Sequence, residues 1–236
     1  MSDRRRILLK LSGEALAGDN VEHKGFDEES VRTVAGQVRR ASEEGVQIAI
    51  VIGGGNFWRG RQGTEIDRIK ADQIGMLATV MNCLYVSAVF ETEGMKTSVY
   101  TAFPIDGMTK VFNRDDAAAD LDQGRIVFFG GGTGHPYFST DTGVVLRALE
   151  MEADEILLAK AVDGVYDKDP KKYPDAKKFD EITIDQVVDD RLQVIDLAAS
   201  VLCRENHMPL AVFDLNQPDG IYNATKGIIT GTRVTV

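Results

Sequence analysis

Three apolar runs that end in glycine constrain the fold of this chain more than any other feature. They read RILLKLSG at 6–13, VQIAIVIGGG at 46–55 and RIVFFGGG at 125–132. Each run has the length of one buried strand and stops at residues that break regular structure. Helical patterns lie between the runs. This alternation predicts a three-layer α/β/α sandwich around a mostly parallel sheet, in which ligands bind beyond the carboxyl ends of the strands.

The segments around these runs complete the pattern. KTSVYTAF, ADEILLAK and PLAVFDL supply further strand candidates. A one-sided apolar stripe predicts a helix over 27–44, with Asp27 as its N-cap and Gly45 as its stop. Residues 72–90 are apolar on most faces, so this helix lies either deep in the monomer or against another subunit. The end of the chain, GIITGTRVTV, predicts a terminal β-hairpin.

Composition limits the classes of protein to which the chain can belong. The chain has 236 residues and a formal net charge of −10, which suits a single folded domain spanning 1–236. The negative charge argues against binding to nucleic acid or to anionic membranes, because such surfaces need clustered lysine and arginine. No apolar stretch approaches the ~18 residues of a membrane span. Cys83 and Cys203 are far apart and lack metal-ligand spacing, which favours a cytoplasmic protein with free thiols.

The glycine runs do not carry a known phosphate motif. Neither G-x-x-x-x-G-K-[ST] nor a strand followed by G-x-G-x-x-G occurs. The cation that a phosphate site needs must therefore come from elsewhere. Lys10 is the candidate, because an ammonium group inside an otherwise apolar strand is costly unless it meets an anion. The alternative is that Lys10 only extends its head group to solvent.

Three more charged residues lie near the glycine runs. Arg59 could clamp phosphate oxygens, or it could be a surface arginine stacked near Trp58. Asp72 and Asp141 could each contact a ligand or only cap a helix. This inventory suits phosphoryl transfer, which needs positioning and charge neutralisation more than covalent chemistry. Hydrolysis and metal binding fit less well, because Ser139 has no recognisable His-Asp partner and the three histidines lack metal spacing.

Several segments, in the right order, resemble the bacterial uridylate (UMP) kinases of the amino acid kinase superfamily along almost the whole chain. The matching segments are ILLKLSGEAL, VIGGGNFWRG, DQIGMLATVMN, GTGHPYFSTD, VDGVYDKDP and DLAA. The GMLATVMN helix separates this family from the carbamate, aspartate and glutamate kinases. The resemblance implies a carbamate kinase-like fold and the reversible transfer of the γ-phosphoryl group of ATP to UMP, with Mg²⁺, in pyrimidine nucleotide biosynthesis.

The resemblance also implies roles for individual residues. As catalytic residues it implies Lys10, Arg59 and Asp141. For ATP it implies Lys10, Leu11, Ser12, Gly13, Gly55, Arg59, Lys160, Tyr166 and Asp169. For UMP it implies Gly54, Asp72, Thr133, Gly134, His135, Pro136, Tyr137, Phe138, Ser139 and Thr140. The phosphate of UMP is already ionised, so no general base is needed. Lys10, Arg59 and Mg²⁺ would act by neutralising charge.

Regulation and assembly follow from the resemblance as well. It implies a homohexamer, with the helix at 72–90 as a subunit interface, activation by GTP through residues near 18–26, and inhibition by UTP. Two positions depart from the family pattern. His135 stands where many relatives have asparagine, and Lys160 stands where relatives often have threonine or asparagine ahead of VDGV.

Two alternatives stay open at the level of sequence. Folds of this kind also include storage proteins that bind ATP and hold oxyanion clusters, although three histidines are few for that purpose. Another kinase of the superfamily is disfavoured only by the family-specific motifs, because the spacing of the charged residues alone does not exclude it.

Overall fold

A nine-stranded sheet forms the centre of the molecule. The computed structural model describes residues 5–17, 25–58, 65–170, 172–192 and 194–236. In chain order the strands are β1 (Arg6–Leu11), β2 (Gln47–Ile52), β3 (Thr97–Thr101), β4 (Lys110–Val111), β5 (Ile126–Gly130), β6 (Glu155–Lys160), β7 (Val165–Tyr166), β8 (Lys178–Phe179), β9 (Glu181–Thr183), β10 (Leu210–Asp214) and β11 (Thr232–Thr235). The order across the large sheet is β4-β3-β5-β2-β1-β6-β10-β11-β9, and β7 pairs with β8 separately. Neighbours in the large sheet are parallel except β10 and β11.

Helices cover both faces of the sheet. Within the described ranges they are α1 (Glu28–Glu43), α2 (Arg68–Thr92), α3 (Arg114–Asp122), α4 (Thr140–Glu150), α5 (Ile184–Asp189), α6 (Leu197–Glu205) and α7 (Gly220–Thr225). The first core layer contains residues of α1, α2 and α7, such as Val34 and Ile221. The second contains residues of α3 to α6, such as Val145 and Ala199. The predicted three-layer α/β/α sandwich is confirmed.

The alternation of side chains along the strands decides which polar groups meet at the carboxyl edge. Leu9 and Leu11 of β1 belong to the first core layer, whereas Leu8 belongs to the second. Lys10 lies two residues after Leu8 and therefore points to the same layer. The same alternation in β6 directs Lys160 to that layer. Because β1 and β6 are parallel neighbours, the two lysines end on one face at one edge of the sheet.

Most of the predicted elements are confirmed. All six strand candidates form strands of the large sheet, and the helix predicted over 27–44 is α1. Asp27 caps α1 by accepting a hydrogen bond from the Ser30 N–H at 3.2 Å. Gly45 follows the helix with a φ of 91°, as its role as a stop requires.

One of the two roles considered for Asp72 is excluded, and one local prediction is wrong. Asp72 is not the N-cap of the second long helix, because α2 begins at Arg68 and its cap is Asp67, which accepts from the Lys70 N–H at 3.2 Å. The first turn of α2 is largely polar and exposed, so an apolar pattern missed it. The chain end is not a hairpin, because β11 pairs antiparallel with β10 and parallel with β9.

Helix α2 is long and apolar enough to cross a membrane, judged by length and composition only. The sequence interpretation missed this, because scattered polar residues interrupt its apolar runs. Of its most apolar window, 56% is buried inside the fold, as expected for the core helix of a folded protein. On the outer side of α2, Ile74, Leu77 and Met81 are 39%, 51% and 48% exposed.

Gly231 precedes β11 at a point where the chain passes close to β10. A Cβ atom at this position would lie 1.8 Å from the carbonyl oxygen of Val212, and the paired strands leave no room to move. We expect Gly231→Ala to lower the free energy of unfolding by about 3 kcal/mol or more, measured by urea denaturation.

Gly36 in α1 provides the matched control, because an added Cβ there meets no atom within 4 Å. We expect Gly36→Ala to raise the free energy of unfolding by about 0.5–1 kcal/mol, since alanine favours a helix interior. Equal losses in both variants would contradict the packing argument.

Candidate functional site

Three cavities lie in a row at the carboxyl edge of the sheet. The first, of about 380 Å³, is lined by Glu14, Gly54, Gly55, Trp58, Ala71, Asp72, Gly75, Met76, Thr79, Gly132, Thr133, His135, Phe138, Ser139 and Thr140. The central cavity, of about 260 Å³, is lined by Lys10, Ser12, Gly13, Glu14, Gly53, Gly54, Gly55, Ser139, Thr140 and Asp141. The third, of about 610 Å³, is lined by Asp141, Lys160, Val187, Arg191, Leu192, Val194, Ile195, Asp196, Leu197 and Ser200. Because neighbouring cavities share lining residues, two ligands bound in the outer cavities would meet in the central one.

The central cavity contains a salt bridge between β1 and α4. Lys10 Nζ lies 2.8 Å from Asp141 Oδ1, and both side chains are largely buried. Asp141 sits in the first turn of α4, whose N-cap is Ser139. The Ser139 hydroxyl accepts a hydrogen bond from the Asp141 N–H at 3.0 Å. The capping role considered for Asp141 thus belongs to Ser139, and the Asp141 carboxylate is left for Lys10.

Lys160 is a second cation beside the same carboxylate. Its Nζ donates to the carbonyl oxygen of Val194. Burial, together with the positive charge of Lys10, lowers the pKa of Lys160 to about 8, against the attraction of Asp141. Burial acts to raise the pKa of Asp141, but the charges of Lys10 and Lys160 outweigh it and hold that pKa below its ordinary value. Two ammonium groups therefore act on the Asp141 carboxylate. The trio alone carries a net positive charge that favours an anion, while Glu14 and Asp196 add carboxylates to the lining of the same cavities.

Asp196 fastens the start of α4 to the start of α6, a role that the sequence alone did not indicate. It caps α6 by accepting from the Ala199 N–H at 2.9 Å. It also accepts from the hydroxyl groups of Ser139 and Thr142, the latter at 3.0 Å. The backbone of Asp196 donates to the Asp141 carboxylate. The DLAA segment, one of those that match the family, carries this residue.

Asp72 of α2 lines the first cavity and holds the loop that follows β5. Its carboxylate accepts from the Tyr137 N–H at 2.8 Å and from Arg68 Nε at 3.3 Å. The Arg68 guanidinium also lies over the Tyr137 ring, 4.8 Å from its centre. Tyr137 has a φ of 72°, a conformation that costs energy for a residue with a side chain. The bond to Asp72 helps to hold this residue in place.

The loops after β1 and β2 pack backbone against backbone. A Cβ atom at Gly13 would lie 2.2 Å from the Gly53 carbonyl oxygen and 2.6 Å from Asn56 Oδ1. The Gly53 N–H donates to the Leu11 carbonyl oxygen at 3.1 Å. Only glycine therefore fits at position 13, and the tight packing brings both loops to the central cavity.

Many of the residues predicted to bind a nucleotide line these cavities. From the predicted UMP set, the first cavity contains Gly54, Asp72, Thr133, His135, Phe138, Ser139 and Thr140. From the predicted ATP set, the central cavity contains Lys10, Ser12, Gly13 and Gly55, and the third contains Lys160. Sequence motifs from five separate segments thus converge on one edge of the sheet.

The remaining residues predicted to bind a nucleotide lie away from these cavities or outside the described part of the chain. Gly134, Pro136 and Tyr137 belong to the loop after β5 but do not line these three cavities. Leu11 has 0% exposure, so its side chain is unavailable to a ligand. Tyr166 donates to Asp163 Oδ1 at 2.7 Å, and neither Tyr166 nor Asp169 lines the three cavities. Arg59 lies outside the described residues.

Several cavity residues were not assigned by the sequence interpretation. In the first cavity they are Glu14, Trp58, Ala71, Gly75, Met76, Thr79 and Gly132. All of them lie inside or beside the segments that resemble the family, so the signal was present but gave no role. Trp58 is fixed by its indole N–H, which donates to the Ala71 carbonyl oxygen at 2.8 Å.

The arrangement suits a reaction between two anions. Lys10, Lys160 and the N-terminus of α4 supply positive charge at the centre. The first cavity combines aromatic walls with the Asp72 carboxylate, and the third combines apolar side chains with charged ones, Asp141 and Lys160 among them. Each outer cavity can therefore hold a ring system whose anionic part extends to the centre.

Comparison with known proteins agrees with this geometry. A model described as the amino acid kinase family matches residues 5–214. The UMP kinase from Bacillus anthracis superposes with a TM-score of 0.92 at 37% identity, covering 98% of this chain and 96% of that one. The UMP kinase from Ureaplasma parvum gives 0.92 at 33% identity, covering all of both chains. The uridylate kinase from Archaeoglobus fulgidus gives 0.74 at 25% identity, covering 97% of this chain and 99% of that one.

Proposed function

This chain belongs to the amino acid kinase family, in the group of the UMP kinases, and we propose that it transfers the γ-phosphoryl group of ATP reversibly to UMP, giving UDP. The observation that carries the proposal is the cluster of Lys10, Asp141 and Lys160 between two ligand-sized cavities. A kinase that joins two anions needs fixed cations at their meeting point.

We assign the first cavity to UMP. Its lining contains most of the residues predicted for UMP, among them Asp72, His135 and Phe138. The volume of about 380 Å³ lies in the range of small-molecule sites. The ring and ribose of UMP would lie against Trp58 and Phe138, and its phosphate would extend toward Ser139 and the central cavity.

We assign the central cavity to the phosphates of ATP and the third cavity to its adenosine. Lys10, Ser12 and Gly13 would meet the phosphates, as the resemblance implies. Lys160 lines the third cavity beside Asp141, which both cavities share, and would meet the phosphates from that side. Apolar side chains such as Leu192 of the third cavity offer contact area to a base.

Catalysis in this arrangement rests on charge. A UMP phosphate oxygen attacks the γ-phosphorus of ATP, the bond from that phosphorus to the bridging oxygen breaks, and ADP leaves. The attacking oxygen is already ionised, so no residue has to remove a proton. Lys10 and Lys160 neutralise the charge that spreads over the transferred group, while Asp141 keeps the two ammonium groups in position. A role for Arg59 remains a prediction.

We propose that Mg²⁺ accompanies ATP and is held mainly by the phosphate oxygens. Within the described ranges, no group of three or more histidine, cysteine, aspartate or glutamate residues could hold a metal ion by itself. The Asp141 carboxylate is engaged by Lys10 and the backbone of Asp196. Bound Mg²⁺ would supply further neutralisation of phosphate charge.

The substrate is tested by an assay of ADP release that offers UMP, CMP, carbamate, aspartate and glutamate in turn. We expect turnover with UMP. Lys10→Ala should lower turnover by about 10²-fold or more, because it removes a cation from the transition state, while circular dichroism shows an intact fold. Turnover with an amino acid and none with UMP would refute the proposal, and full activity of Lys10→Ala would refute the assigned role of the lysine.

Lys160 gives the reaction an expected pH dependence. With a pKa of about 8 in the free protein, its ammonium group is charged below that pH and neutral above it. We therefore expect kcat/KM for ATP, which reports on the free enzyme, to fall as the pH rises through about 8.

Two variants of this position separate charge from packing. Lys160→Arg keeps its positive charge across this pH range, so its kcat/KM for ATP should not fall as the pH rises. Lys160→Met has no charge at this position, so its kcat/KM for ATP should be low at every pH. An unchanged profile in Lys160→Arg would show that another group titrates.

We also propose that α2 forms a subunit interface and that the protein assembles as a homohexamer. The support is the exposed apolar row of Ile74, Leu77 and Met81, a patch of the kind that marks association surfaces. Light scattering should give a mass near six times the 25.9 kDa chain.

Leu77→Glu should lower that mass, whereas Tyr173→Glu, at an equally exposed residue between β7 and β8, should not. A wild-type protein that stays monomeric at high concentration would exclude the interface.

On the resemblance alone we propose activation by GTP and inhibition by UTP, both measurable in the same assay. Of the segment predicted to respond to GTP, residues 18–24 lie outside the described residues. We propose a cytoplasmic location as well. The support is that Cys83 and Cys203 are both buried free thiols, and burial raises the pKa of each to about 12.

A further inference from the structure

One face of α2 contacts the loops that hold both nucleotides. We propose that Asn82 and Thr79 of this helix are positioning residues, which fix the spacing between the loops after β1 and β2 and the loop after β5. The inference rests on the proposed kinase function, because that function gives the loops their ligands. In this role the two side chains align ATP with UMP and do not contact the reacting atoms.

Asn82 forms a buried amide pair with Asn56. Both side chains have 0% exposure. Asn82 Nδ2 donates to Asn56 Oδ1 at 2.8 Å, and Asn56 Nδ2 donates back to Asn82 Oδ1 at 3.1 Å. Asn82 Nδ2 also donates to the Gly53 carbonyl oxygen at 2.6 Å. The pair thus ties α2 to the loop after β2.

The same amide pair reaches two further segments. A Cβ atom at Gly13 would lie within 3.1 Å of Asn82 Nδ2, so the loop after β1 rests directly on the pair. Asn56 Nδ2 donates to the Gly25 carbonyl oxygen at 2.8 Å. One buried unit therefore fixes the loops that carry Gly13, Gly54 and Gly55.

Thr79 performs the corresponding task for the loop after β5. Its hydroxyl accepts a hydrogen bond from the Gly131 N–H at 2.9 Å, and donates to the Met76 carbonyl oxygen at 2.6 Å. Gly131 is followed by the residues that line the first cavity. Thr79 precedes Asn82 by three residues, so the two side chains lie on neighbouring turns of one helix face.

Glycine loops need such an external support. A glycine has no side chain with which to anchor itself and loses more conformational freedom on folding than other residues. A buried polar group without a partner is costly, so each bond from α2 restricts the positions that a loop can take. Both bonds originate from one rigid helix. The loops that hold ATP and the loop that holds UMP are therefore fixed in position relative to each other.

The experiment compares three variants of the full-length protein. Thr79→Val removes the acceptor of the Gly131 N–H with little change in volume, and Thr79→Ser keeps it. Ser87→Ala is the matched control, because the buried Ser87 hydroxyl donates to the Leu84 carbonyl oxygen of its own helix, at 3.0 Å, and to no other group in the part of the chain that the structure describes. The measurements are kcat, KM for each nucleotide, the Kd of UMP by titration calorimetry, and the melting temperature.

We expect Thr79→Val to raise KM and Kd for UMP about tenfold, as expected when one buried amide loses its partner, with KM for ATP nearly unchanged. Thr79→Ser should bind UMP as the wild type does, and Ser87→Ala should change only the melting temperature. An equal rise in KM for UMP in Ser87→Ala, or none in Thr79→Val, would overturn the inference.

Variants of the Asn82–Asn56 pair provide a second test of the inference, which applies if Thr79→Val does not fold. Asn82→Ala and Asn56→Ala should each lower kcat and raise both KM values, because the loop after β2 serves both nucleotides. The double variant should be no worse than either single one, since the amides act as a unit. Additive losses would overturn the inference, whereas a wild type inactive on UMP would refute the proposed function itself.

Discussion

The sharing of one carboxylate by two lysines governs the rest of the site. Lys10, Lys160 and Asp141 come from three elements, β1, β6 and α4, and each would be costly to bury alone. The three groups together carry one net positive charge, and the side chains of Lys10 and Asp141 are largely buried. The alternation of the parallel strands produces this meeting, because it sends the two lysines to the same face at the same edge. The Ser139 cap and Asp196 then set the start of α4 against them.

Helix α2 is the second organising element, and it separates two tasks by face. Its inner face carries Asp72, Thr79 and Asn82 toward the nucleotide loops, whereas its outer face carries Leu77 and Met81 toward solvent. The inner side of α2 also packs Cys83, Val86 and Phe90 into the first core layer, so apolar residues lie on its buried side as well as on its exposed side. This explains why residues 72–90 look apolar on most faces, and why neither explanation offered by the sequence, a deep core position or a subunit contact, excludes the other.

Strand identity and the family could be predicted from the sequence, because buried parallel strands are short apolar runs and the motifs match along the chain. The pairing of the last strand and the first residue of α2 could not be predicted. The β11 strand follows glycine-rich residues that also suit a turn, and only the close approach of Gly231 to β10 decides between the two. The polar first turn of α2 concealed its start. Asp196 and Asn82 were visible in matching segments, but their roles depend on partners more than 25 positions away.

The position of Lys10 in the chain has a consequence for how the site forms. Its partner Asp141 is 131 residues further along, and β1 is complete as a central strand only when β6 has paired with it. The residues of β1 therefore wait for later parts of the chain before the charge cluster exists. A nascent or truncated chain that ends before β6 lacks Lys160 and one of the two neighbours of β1, so nucleotide chemistry starts only after most of the sheet has assembled.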